Sequence, residues 1–70
     1  MQLIHEDGGR VVIRFSQAEV ATVGLPPRPA RIEYDQLLRL DGYSAWLDKQ
    51  SRFSDGIDRL IKMADEIVYH

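Results

Sequence analysis

The residues of this chain that could carry chemistry are few, and their spacing decides against most of it. His5 stands beside Glu6 and Asp7, His70 ends the sequence, and there is no cysteine. A metal centre needs several convergent ligands held by a supporting shell. One histidine next to two acids has instead the look of a hydrated turn, so neither a metal nor a cofactor is expected. Nucleophilic catalysis needs a base beside a hydroxyl or thiol. Ser16, Ser44, Ser51 and Ser54 are better placed as helix caps and turn residues. Glu6 with Asp7, Asp55 with Asp58, and Asp65 with Glu66 could do acid–base work if burial raised one pKa of a pair. All of them fall in turns or on polar helix faces, where they stay hydrated. No catalytic residue is predicted, and the chain is not expected to be an enzyme.

What remains is surface charge. Arg10 and Arg14 of an N-terminal hairpin, with Asp58, Lys62, Asp65 and Glu66 of a C-terminal helix, are the candidate partner-binding residues. Few positions in any interface carry its energy. The net charge is −2, and the nine basic residues are scattered, with Arg28, Arg31 and Arg39 the only loose cluster. Nucleic-acid binders usually show a basic face, so DNA or RNA is not the expected main ligand.

These side chains must be positioned by a small scaffold. At 70 residues the chain makes one domain, residues 1–70, with a marginal core. Without disulfides, its routes to stability are tight packing, a homodimer, or a larger partner. An apolar fraction of 44% fits a folded chain. The longest apolar run, Val11 to Ile13, is far too short to span a membrane. No signal-peptide pattern is seen, and the expected location is the cytoplasm.

The stretch 54–70 predicts a long amphipathic helix. Ile57, Leu60, Ile61, Ala64, Ile67 and Val68 form its apolar stripe, and the rest of the chain must offer a surface to bury it. Residues 2–15 predict a β-hairpin turning on Asp7-Gly8, which pairs Ile4 with Val11 and Leu3 with Val12, while Gly9 allows a longer loop or a bulge. Ser16-Gln17-Ala18-Glu19 is a capping box, with Phe15 and Val20 at staple positions. It opens a short helix from Gln17 to Val23 that ends at Gly24. Leu25 to Pro29 must be extended. Within it Pro26, Pro29 and Arg31 spell the P-x-x-P-x-R pattern of polyproline-groove ligands, although a stiff connector explains the same residues.

Ala30 to Tyr34 alternates as a third strand that could join the hairpin. Asp35 predicts the cap of a short helix ending at Asp41-Gly42. Ser44 to Phe53 predicts a further helix, with Asp48 and Arg52 as an i, i+4 pair and further such pairs at Asp55–Arg59 and Asp58–Lys62. The fold class is therefore α+β: an N-terminal antiparallel hairpin with a third strand, packed against a C-terminal αα-hairpin. Trp46, Phe15, Ile13, Leu47, Phe53, Leu60, Ile61 and Ile67 are the expected core.

Local resemblances add functional expectations. Arg10-Val-Val-Ile-Arg-Phe-Ser16 resembles the strand and capped helix of ribbon-helix-helix DNA binders. Gly9 to Ile13 followed by Gly24-Leu25 resembles the swapped-hairpin antitoxins and transition-state regulators. Gly42-Tyr43, Trp46-Leu47-Asp48, Arg52 and Ile57-Asp58-Arg59-Leu60 resemble the C-terminal helical stretch of a phage-encoded anti-CRISPR family. That last resemblance implies an inhibitor that binds a CRISPR surveillance protein. The favoured expectation is a non-enzymatic regulator or inhibitor that blocks a partner protein. The alternative is a DNA-binding transcriptional regulator or antitoxin.

Overall fold

The computed structural model describes residues 1–28 and 30–69, with Ser51 described by its backbone alone. Pro29 of the proline pattern and the terminal His70 lie outside the described residues. Among those described, the chain forms one four-stranded sheet and four α-helices, an α+β fold. The strands are β1 (Gln2–His5), β2 (Val11–Phe15), β3 (Arg31–Ile32) and β4 (Glu66–Tyr69). The helices are α1 (Gln17–Val23), α2 (Tyr34–Leu37), α3 (Asp41–Asp48) and α4 (Ser54–Met63). The sheet order is β1-β2-β4-β3.

The hairpin forms one residue out of the expected register. Leu3 pairs with Ile13, Ile4 with Val12 and His5 with Val11. The cause is the turn. Gly8 and Gly9 both take left-handed backbone angles, at φ 80° and 79°, which only glycine adopts cheaply. The Glu6 N–H donates to the Arg10 carbonyl at 2.7 Å, so the loop is the longer one that Gly9 allows and not the two-residue turn.

The largest departure is at the C-terminus. The helix predicted through residue 70 stops at Met63, and Glu66–Tyr69 is a strand. It runs parallel to β2, pairing Ile13 with Ile67 and Phe15 with Tyr69. Ala64 is extended, and Asp65 stitches the break. Its N–H donates to the Val11 carbonyl at 2.8 Å, and its carboxylate accepts the Val11 N–H at 2.7 Å. Glu-Ile-Val-Tyr alternates polar and apolar positions as readily as it fits a helical stripe, and a short apolar run cannot be assigned by period alone. Tertiary pairing decides it. β3 then adds antiparallel to β4, with Ile32 opposite Ile67, and not to the hairpin.

The helices cover one face of the sheet. Ile13, Phe15, Ile32, Ile67 and Tyr69 from that face pack with Val23, Leu37, Tyr43, Trp46 and Ile61. Trp46 lies edge-on to Phe15, with ring centroids 5.2 Å apart, and stacks on Tyr43 at 6.0 Å. The Ser16–Glu19 capping box forms as expected, and Gly24 closes α1 in the left-handed region.

Two start signals fall elsewhere than expected. Glu33 and Gln36 form the cap of α2 in place of Asp35, and Asp41-Gly42 opens α3 rather than ending α2. Gly42 is required there by close approach, because a Cβ on it would lie 2.3 Å from the Thr22 carbonyl oxygen of α1. The helix expected over 44–53 ends at Asp48, and Ser51–Phe53 forms a separate 3-10 turn before α4. α3 and α4 pack as an αα-hairpin. Leu47 is half-buried and packs against the core, but Phe53 and Leu60 are exposed, against expectation.

Candidate protein-binding surface

The sheet has a second face, and the buried residues of the helices all belong to the core on the first. Strand alternation sends Gln2, Ile4, Val12, Arg14, Arg31, Glu66 and Val68 to this outer side. The register lines them up in two rows. Ile4, Val12 and Glu66 run across β1, β2 and β4. Gln2, Arg14, Val68 and Arg31 run across all four strands. Ile4, Val12 and Val68 thus make a small aliphatic centre among arginines.

The charges differ in how they are held. Arg10 pairs with Glu6 at 3.0 Å and with Glu66, and the hydrogen bond to Glu66 raises the guanidinium pKa. Arg31 lies 3.7 Å from the same Glu66. Arg14 donates to the Gln2 side-chain oxygen, a neutral partner, and has no ion pair among the described residues. Val12 is buried although no described helix packs on this face, and long charged side chains are of the kind that lay apolar stems on such a centre while their heads stay wet.

The structure brings five of the six expected contact residues near one another. Arg14 and Glu66 stand on the outer face, and Arg10 and Asp65 stand at its end. Lys62 is exposed on α4 and lines a hollow together with Arg31, Asp65 and Glu66. Asp58 is not a free surface acid. It is half-buried, and one oxygen accepts from both the Tyr34 hydroxyl (2.8 Å) and the Tyr43 hydroxyl (2.7 Å). Burial, and then the Asp58 carboxylate, push both phenol pKa values up. Sequence reading paired Asp58 with Lys62 because they are four apart. The tyrosines reach it from α2 and α3, which no local spacing reveals.

Glu19 has a similar double life. Besides capping α1, it accepts from the Trp46 indole N–H at 3.1 Å and pairs with the Met1 ammonium. Burial raises its pKa, but the ammonium and the Ser16 amide outweigh that and hold it below the usual carboxylate value.

Missed altogether were Ile4, Val12, Val68 and Arg31 as one face, and a second apolar strip on α4. Phe53 is 66% exposed, Leu60 44% and Met63 75%, beside a half-buried Ile57. The spacing of Phe53, Ile57, Leu60 and Met63 was the available signal. Ile57 and Leu60 instead fall into the stripe of a helix continued through residue 70, which leaves out Met63 and gives Phe53 to the preceding helix. Among the described residues, no group of three or more His, Cys, Asp or Glu side chains converges, and no helix is long and apolar enough to cross a membrane. Comparison of the chain with family models, curated proteins and solved structures returns no match.

Proposed function

We propose that this protein is a non-enzymatic binding protein, a small regulator or inhibitor that sets the outer face of its sheet against an acidic surface of another protein. The observation that carries the reading is the pairing of Val68 with Arg14 on one side and Arg31 on the other. The Arg14 head is held by a neutral amide, and the Arg31 side chain is exposed. An aliphatic centre rimmed by arginine matches the anatomy of interface patches, where arginine is enriched. Arginine forks also recognise carboxylates in a bidentate way.

The resemblance of Arg10 to Ser16 to a DNA-binding ribbon gains no support from the sheet. β2 has β1 on one side and β4 on the other, leaving no free edge for an intermolecular ribbon. A narrower form of the proposal, inhibition of a CRISPR surveillance protein, rests on the resemblance of residues 42–61. Its own test uses a purified surveillance complex as bait.

The general proposal is tested with the immobilised chain in lysate of its native host. A discrete protein should be retained by the wild type and by Leu60→Asp, and lost from the Arg14→Glu, Arg31→Glu double variant. Equal retention by the double variant would refute the assigned face. Retention of duplex DNA, with affinity falling steeply as salt rises, would replace a protein partner with a nucleic acid.

A further inference from the structure

We infer that the exposed strip of α4 is a self-association surface, on which a second copy of this chain docks antiparallel across a two-fold axis. The inference does not rest on the outer sheet face, which lies on the opposite side of the sheet from the helices.

Three observations support it. The first is the strip itself. Phe53, Gly56, Ile57, Leu60 and Met63 recur at helical spacing, and an open, largely apolar hollow lined by Phe53, Gly56, Ile57 and Leu60, with Arg52 at its end, runs along it. The second is Gly56. Glycine within a helix costs up to about 1 kcal/mol relative to alanine, and nothing among the described residues asks for it. Its φ is not left-handed, and a Cβ there would meet nothing within 4 Å. Gly42, by contrast, is forced by a neighbouring backbone. The missing side chain at Gly56 leaves a notch in the strip that fits a knob from outside.

The third observation is charge order. On the solvent side of the strip, Asp55 stands near the start of α4, and Arg59 and Lys62 stand near its end. Among the described residues, none of the three has an ion-pair partner within the chain.

A two-fold contact must be self-complementary, and an antiparallel pairing makes it so. With the axis near the middle of the helix, Leu60 of each copy enters the Gly56 notch of the other. Phe53 meets Met63, a favourable sulfur–aromatic contact. Asp55 faces Arg59 and Lys62 of the second copy on the same flank. A parallel two-fold pairing would carry Asp55, Arg59 and Lys62 of the two copies to opposite flanks, so that no acid would meet a base. A face this small gives a weak, concentration-dependent dimer and not an obligate one.

Sedimentation of the wild-type chain at low salt, from about 1 μM to about 1 mM, should show monomer passing into dimer. Leu60→Asp changes an exposed residue, and with an unchanged circular dichroism spectrum it should remain monomeric. Asp55→Lys should weaken the dimer about tenfold or more, and Asp55→Lys with Lys62→Asp should recover much of that loss. Because the chain has no cysteine, orientation is read by mixing Phe53→Cys chains with Met63→Cys chains under oxidation. The mixed disulfide dimer should exceed either like-with-like dimer. A monomer throughout the concentration range would overturn the inference, as would like-with-like disulfides in excess.

Discussion

The Tyr43 hydroxyl donates to Asp58 Oδ1 at 2.7 Å and so ties α3 to α4 at a point where neither helix is fully wet. Tyr34 reaches the same oxygen from α2, so one carboxylate organises three helices. Asp58→Ala leaves two phenol hydroxyls without their acceptor. Leaving part-buried polar groups unmatched costs about 1–3 kcal/mol, and urea unfolding followed by Trp46 fluorescence should show a loss of that size. Tyr34→Phe removes one donor and leaves Tyr43 on Asp58, so its loss should be the smaller.

The same cluster gives the protein an alkaline limit. Both phenols have pKa values above the ordinary value of 10.0 in the folded state. Above that ordinary value, the unfolded chain sheds protons that the folded chain keeps, so stability falls as pH rises. It is fully present below the ordinary tyrosine range. Phenolate absorbance should therefore appear together with loss of the circular dichroism signal, in one transition. A chain that ionised all its tyrosines while still folded would contradict this.

The two glycines of the helical layer should respond in opposite ways to alanine. Gly42→Ala forces α3 away from the Thr22 and Val23 carbonyls of α1, and overpacking of this kind costs about 1–3 kcal/mol. The Trp46 fluorescence maximum should also shift toward that of a wetter indole. Gly56→Ala meets open space and should raise the monomer's stability, by up to about 1 kcal/mol.

On the outer sheet face, stability and binding should separate. Arg14→Glu and Arg31→Glu remove the Gln2 hydrogen bond and the Glu66 ion pair but no contact of the helix-covered core, so each should lower unfolding free energy by no more than about 1 kcal/mol. Partner retention should be lost all the same. A double variant that unfolded would place these arginines in the scaffold instead.

Local chemistry was the legible part of the sequence. Ser16 and Glu19 cap α1 as their spacing implies, because a capping box closes within three residues of itself. Phe15 and Trp46 were legible as core because each stands at an apolar position of a well-patterned element, whereas Phe53, expected in the core as well, lies at a boundary between elements and is exposed. What could not be read was whatever depended on distant partners. Glu66–Tyr69 is a strand because β2 offers Val12 to Phe15 alongside it, 54 residues away by way of Val11 and Asp65. Once those residues leave the helix, the strip at Leu60 loses its continuation and becomes surface. The hairpin slipped by one residue because Gly9 joins Gly8 at positive φ, and such a slip exchanges the two faces. Ile4 thereby joins Val12 on the outer face, next to Val68, which the helical stripe claims in the sequence.

Photocrosslinking in cells of the native host tests the central claim most directly. A photoreactive residue replaces Val68 in the middle of the arginine-rimmed sheet face, and a control replaces the exposed Lys49 beyond α3. The account predicts one discrete protein adduct from position 68 and none from position 49. Equal adducts from both, or an adduct from position 49 alone, would contradict it.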